Sequence, residues 1–281
     1  MARRAALVRP ISVGINGDAK AAAAALLERL AGRDLACSAN KVERSQRIAA
    51  EKSAWEQELG AWTHERDPFS LEVAQGSTFM HPRQMLRELE QAMPRGAMVS
   101  TDIGNVCSVA NSYLRFEQPR SLFAAMSFGN CGYAFPVACG AKIASPERPA
   151  IAYVGDGAWG ISLNELLTCA REKIGVTVVV FNNGQWGAEK KNHVDFYSRR
   201  FNAVNLDSPS WAAVAQAFGC KGVTIDRLSD VGPALQAAVQ AQAAGKCTVI
   251  EMMLTQELGD PFRRDALSKP VRYLEKYQAY T

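Results

Sequence analysis

A chain of 281 residues that is 48% hydrophobic has enough apolar material for a packed core, so it is globular and holds one large or two modest domains. Its formal charge of +4 is slight and spread along the chain, which argues against a nucleic-acid partner and leaves small anions as ligands. No apolar run approaches the roughly 20 residues of a membrane helix, and Met1-Ala2-Arg3-Arg4 leads into no signal-type hydrophobic region.

In chain order, residues 10–15 read as a strand, Gly17-Asp18 as a turn with a helix cap, and 19–30 as a helix with Leu26, Leu27 and Leu30 on one side. One strand and one helix cannot bury a core of their own, so 1–33 is expected to be the end of a domain whose remainder lies elsewhere. Residues 34–69 are charged and helical in pattern, with Trp55 and Trp62, and 34–80 reads as a helical linker. A compact domain over 81–255 follows. It begins with a helix at 82–93, a strand at 97–100, helices at 105–114 and 132–144, and a strand at 150–154. After Ser162, residues Leu163, Leu166, Leu167 and Ala170 recur at helical spacing up to Gly175, and 176–181 is a second buried strand. A helix at 210–218, a strand at 222–225, a helix at 231–244 and a strand at 248–252 complete the set. Regular alternation with apolar strands predicts an α/β fold with a doubly wound, mostly parallel sheet. Residues 256–281, with Arg263, Arg264, Lys269, Arg272 and Lys276, read as a C-terminal arm.

The chemistry concentrates where those strands end. Gly155-Asp156-Gly157 breaks the strand at 150–154, and Asn182-Asn183-Gly184 closes the one at 176–181. In a right-handed crossover both strands run parallel, so Asp156 and Asn183 are expected at carboxyl ends facing one crevice. One carboxylate and one carboxamide suit a hard divalent cation such as magnesium, which keeps ligand phosphate oxygens in its shell beside few protein carboxylates. Glycines beside Asp156 let a phosphate approach the backbone, and amides at the start of the next helix offer donors. Taken alone, Gly-Asp-Gly is equally a tight turn with a cap, and Asn183-Gly184 an ordinary turn.

The arrangement resembles the thiamin-diphosphate motif of the pyruvate decarboxylase and acetolactate synthase superfamily. The resemblance implies that Asp156, the side-chain oxygen of Asn183 and the main-chain oxygen of Gln185 hold Mg2+ against the cofactor diphosphate, with Gly155 in the same turn and Gly157 and Ala158 presenting amides. Upstream, Thr101-Asp102-Ile103-Gly104-Asn105 is similar to the diphosphate-binding turn, implicating Gly104 and Asn105. Gly129-Asn130-Cys131-Gly132-Tyr133-Ala134-Phe135-Pro136 is similar to the loop beneath the aminopyrimidine, implicating Gly129, Asn130 and Cys131. Acetolactate synthases usually carry a Met at the place of Cys131, so the smaller thiol points to a relative with different chemistry, or to a small buried apolar residue.

Two further strings, 188–197 and 257–267, narrow the resemblance to an acyltransferase branch of sulfonate metabolism and taurine degradation. The reaction implied joins phosphate to the two-carbon unit of sulfoacetaldehyde, releasing sulfite and forming acetyl phosphate. Anionic substrates call for cations, and Lys190, Lys191, Arg263 and Arg264 are the candidates, each equally readable as a solvated basic residue. His193 is a candidate proton shuttle or a plain surface histidine, and Glu165 a candidate for orienting a ligand or a plain helix residue. His64 and His81 carry no ligand pattern. The alternatives are an acetolactate synthase-like carboligase, a 2-oxo acid decarboxylase, or a non-catalytic cofactor-binding fragment. The superfamily's activating glutamate lies on a pyrimidine-binding domain that this chain does not contain, so a catalytic residue is not expected here. That domain is expected from a missing amino-terminal part or from another chain, in a homodimer or homotetramer. Seven cysteines, none in a CxxC pair, read as reduced thiols of a cytoplasmic protein.

Overall fold

The computed structural model describes residues 13–33, 39–62, 79–126 and 128–256. The chain divides into two units between Gln57 and Glu58. In the first, helix α1 (Ala19–Leu30) starts at Asp18, whose Oδ1 accepts the Ala21 amide at 2.9 Å. Its Leu26, Leu27 and Leu30 are exposed. The strand expected at 10–15 is absent over its described part. Val13, Gly14 and Ile15 join no sheet, and an extended segment without a neighbour leaves its backbone groups to water. Helix α2 (Ala39–Trp62) runs across the division, and Leu59 near its end is buried.

The second unit continues with α3 (Pro82–Ala92), β1 (Met98–Thr101), α4 (Asn105–Ala110), β2 (Leu122–Ala124), α5 (Ala134–Ala144), β3 (Ala150–Gly155), α6 (Asp156–Ser162) and α7 (Leu166–Glu172). Then come β4 (Thr177–Asn182), α8 (Gly187–Phe196), α9 (Trp211–Ala217), β5 (Lys221–Ile225), α10 (Leu228–Gln242) and β6 (Thr248–Met253). The strands form one six-stranded sheet in the order β2-β1-β3-β4-β6-β5, every pairing parallel.

Strand alternation splits the core in two. Ile151 and Tyr153 of β3, Val179 and Phe181 of β4, and Ile250 and Met252 of β6 pack toward α3, α4 and α10. Their neighbours Ala152 and Val154, Val178 and Val180, and Val249 pack toward α5, α6, α7 and α9. Helices on both faces explain why these strands read as continuous apolar runs. The Phe135 and Trp159 rings, 5.2 Å apart and edge to face, join α5 to α6 on the second face.

Several boundaries differ from the sequence expectation. The motif helix begins at Asp156 itself, not after Ser162, and a 3-10 turn at Leu163–Glu165 interrupts it before α7. That helix ends at Lys173 in the left-handed conformation (φ 54°), ahead of Gly175. Helix α4 gives way to turns at Asn111, short of residue 114. Strand β2 and helix α8 carry no sequence signal of their own. The six described cysteines are free, and among the described residues no helix is long and apolar enough to cross a membrane.

One buried amide ties the strand starts together. Gln242, the last residue of α10, accepts the Ala150 amide through Oε1 (3.1 Å) and donates from Nε2 to Ala150 O (2.9 Å) and Thr177 Oγ1 (2.8 Å). Gln242→Leu removes all three of these buried hydrogen bonds, each worth about 1 kcal/mol. Urea unfolding is expected to give a loss of about 3 kcal/mol with an unchanged m-value.

Candidate functional site

The strand order reverses around β1 and β3, and the loops leaving the carboxyl ends of β1, β3 and β4 converge beside that point. In doubly wound sheets such a crevice is where ligands bind. Asp156 follows β3 directly and is 2% exposed. Its Oδ1 accepts the Gly157 amide at 3.0 Å and its Oδ2 the Gly184 amide at 2.8 Å, so one carboxylate bridges the end of β3 to the turn after β4. Burial pushes this carboxyl up to about 6, with the Gly157 and Gly184 amides opposing the rise. Its charged form therefore lowers stability as pH climbs from 3.8 through about 6, and a cation beside it would reverse that loss.

Asn183 and Gln185 are buried in the turn that follows β4. Gln185 Nε2 donates to Gln256 O at 3.1 Å, while its Oε1 is buried without a hydrogen-bond partner. The turn is clamped from outside by two backbone bonds, Trp186 N to Val204 O and Leu206 N to Gly184 O, both 2.8 Å.

At the end of β1, Asp102 is buried and accepts the amides of Ile103 (2.9 Å), Gly132 (3.1 Å) and Ala134 (3.0 Å). Burial raises its pKa against those amides. Asp102 thus fixes the 132–134 loop against β1, a role the sequence did not single out although the residue lies within a quoted motif. Gly104 has φ 135°, which disfavours any side chain, and a Cβ there would project into open space. Asn105 Nδ2 donates to Gly187 O at 3.4 Å, joining this turn to the start of α8.

Asp156, Asn183, Gln185, Gly104, Asn105 and Cys131 line one cleft of about 80 Å³. Gly155, Gly157 and Ala158 border it as well. At about 30 Å³ per water-sized ligand, the space suits a cation with a few oxygen ligands. It is smaller than the roughly 300–1,000 Å³ of pockets that enclose a whole small molecule. Burial, Asp102 and Glu189 raise the Cys131 thiol. Gly129 and Asn130 are exposed and lie outside the lining. Trp186 and Glu189, neither anticipated, also line the cleft. Among the described residues no group of three His, Cys, Asp or Glu side chains is arranged to hold a metal, which leaves a cation few protein charges and a need for ligand oxygens.

Of the expected substrate cations, Lys190 and Lys191 do not line this cleft. Lys190 is buried, its Nζ donating to Asn205 Oδ1 and Gln256 Oε1 (both 3.1 Å), and burial lowers its pKa. Lys191 pairs with Asp195, and Arg263 and Arg264 lie outside the described residues. His193 packs against Tyr197 and Phe201, with Nδ1 buried and unbonded, and is not part of the lining. Glu165 bonds locally to Thr168 Oγ1 (2.9 Å) and Asn164 Nδ2 (3.4 Å).

Residues 102–252 match the family model of the thiamine pyrophosphate enzyme, C-terminal TPP binding domain. Sulfoacetaldehyde acetyltransferase of Castellaniella defragrans is 64% identical over 98% of this chain and 47% of its own length. The protein of that name from Alcaligenes xylosoxydans xylosoxydans is 61% identical over the same shares. The chain therefore spans about half the length of these relatives. A thiamine diphosphate-dependent 4-hydroxybenzoylformate decarboxylase of Rhodococcus jostii RHA1 superposes with a TM-score of 0.59 at 23% identity, covering 70% of this chain and 36% of the other.

Gly157 is required for a packing reason. A Cβ there would sit 2.8 Å from the Trp186 ring, whereas a Cβ on Gly160, in the same helix, would meet only Trp211 at 3.9 Å. Gly157→Ala is expected to lower stability by about 1–3 kcal/mol through the displaced ring. Gly160→Ala should raise it by about 0.5–1 kcal/mol, with both read by urea unfolding.

Proposed function

The chain belongs to the thiamine pyrophosphate enzymes, through their C-terminal TPP binding domain, and from this we propose that it supplies the diphosphate- and Mg2+-holding half of a sulfoacetaldehyde acetyltransferase. The observation that carries the reading is the convergence of Asp156, Asn183 and Gln185 on a single cleft bordered by glycines. The choice of sulfoacetaldehyde and phosphate as substrates is supported by relatives of that name at 64% and 61% identity across nearly the whole chain.

The donor set fits the group. A buried carboxylate whose burial disfavours its charge, next to carboxamide and main-chain oxygens, is an environment that gains from a hard cation, and the diphosphate supplies the remaining oxygens. Asp156, Asn183 Oδ1 and the Gln185 main-chain oxygen would hold Mg2+. Gly104, Asn105, Gly155, Gly157 and Ala158 would border the diphosphate, and Gly129, Asn130 and Cys131 the aminopyrimidine. Thiamin diphosphate, when bound, supplies a nucleophilic carbon and an electron sink, letting phosphate take the acetyl unit as sulfite leaves. The residues of this chain orient the diphosphate and keep water from the cation. The activating glutamate would come from a pyrimidine-binding domain in the other half of the protein or in another subunit of a homodimer or homotetramer. In this reading 1–33 closes a central domain, 34–80 links, 81–255 holds the cofactor and 256–281 is an arm. In this reading the setting is cytoplasmic, with which the six described free cysteines agree, and the substrate places the reaction in sulfonate and taurine breakdown.

Combined with the complementary domains, Mg2+, thiamin diphosphate, sulfoacetaldehyde and phosphate, the chain is expected to yield acetyl phosphate and sulfite. Pyruvate consumption without sulfite release would replace this reading with an acetolactate synthase-like one. Asp156→Ala is expected to abolish Mg2+-dependent binding of thiamin diphosphate in calorimetry, because the remaining ligands are neutral. Unchanged affinity would remove Asp156 from the site.

A further inference from the structure

Glu251 is an acid in the middle of the buried strand β6, 2% exposed, on the face shared with Val249. Burying a carboxyl there is costly unless donors surround it, and five do. Asn182 Nδ2 (2.8 Å) and Trp211 N (3.1 Å) reach Oε1. Ser210 Oγ (3.2 Å), Ala212 N (3.2 Å) and Thr224 Oγ1 (3.0 Å) reach Oε2. The group does not line the cleft, yet its partners flank the metal-binding turn on both sides.

Before the turn, Asn182 is the last residue of β4. Its side chain is held by Glu251 and its carbonyl by the Leu254 amide at 2.9 Å. Asn183, next in the chain, lines the cleft, and Gly184 N reaches Asp156 Oδ2 at 2.8 Å. After the turn, Val204 and Leu206 clamp Trp186 and Gly184 through backbone bonds, and that segment leads directly into Ser210, Trp211 and Ala212. One carboxylate therefore grips both runs of chain that fix where Asn183 and Gln185 stand relative to Asp156. A cap for α9 alone would need only the Trp211 and Ala212 amides, and the reach across to Asn182 is left over from that role.

We propose that Glu251 is the positioning residue of the cation site, setting the Asn183–Gln185 turn through Asn182 on one side and the 204–212 segment on the other. The inference rests on the reading of Asp156, Asn183 and Gln185 as Mg2+ ligands. Its test is the Mg2+ dependence of thiamin diphosphate binding by the full chain, measured by calorimetry on protein that circular dichroism and gel filtration show to be folded. In Glu251→Gln the amide nitrogen meets a backbone N–H whichever way it turns, that of Trp211 or that of Ala212, which loosens the 204–212 flank. Mg2+ affinity at saturating thiamin diphosphate is expected to fall about tenfold, while Thr224→Val, which removes a donor on the far side of Glu251, binds as the wild type does. A purely structural role would lower the melting temperature of Glu251→Gln and leave the affinity of the folded protein unchanged, and that result overturns the proposal. Should Glu251→Gln not fold, Asn182→Ala decides. It keeps four of the five bonds to Glu251, and wild-type affinity in that variant refutes positioning. Absence of Mg2+-dependent binding in the wild type would instead strike at the cation site itself.

Discussion

A single buried carboxylate organises the molecule's functional end. Asp156 spends both oxygens on backbone amides, one beside it and one across the sheet at Gly184. That pair of bonds locks two strand ends together at a place where side chains of β3 and β4 no longer meet. The same burial that makes the bridge rigid disfavours the charge it carries, so the bridge gains from a cation. Structure and chemistry are here two consequences of one dehydrated oxygen pair.

The sheet makes that dehydration available. With helices on both faces, the four central strands β1, β3, β4 and β6 are dry along almost their whole length, while the edge strands β2 and β5 are partly exposed. Two polar side chains within the dry part are answered on several sides, Gln242 at the strand starts and Glu251 inside β6. At the cleft, Gln185 Oε1 is one of several buried polar atoms that have no hydrogen-bond partner in the protein.

Most of the architecture could be read from the chain because its buried strands are short apolar runs between sharp breaks. Asp156 and Asn183 were legible for the same reason, each standing where such a run stops. Helix α8 was not, since it has no apolar stripe and the side chain it buries is Lys190. Strand β2 is only three residues long, too short for any period to show. The strand expected at 10–15 is not seen over 13–15, its described part, because apolar content cannot supply the neighbour a strand needs. Asp102 was quoted inside a motif without being given a task, and its task depends on amides thirty residues away that no local pattern announces. Glu251 did have a signal, a lone acid in the apolar run Thr248–Met253, which in a dry strand demands an explanation.

The order β2-β1-β3-β4-β6-β5 has a consequence for how this unit comes into being. Among the described residues the strand made last lies inside the sheet, between β4 and β5, so on the ribosome β5 has no neighbour until β6 arrives. All-parallel pairing also means that every contact between strands closes a long loop, which slows folding. The nascent domain must then wait, edge open, for its final insertion, and the turn that Glu251 flanks can take shape only once that wedge is driven home.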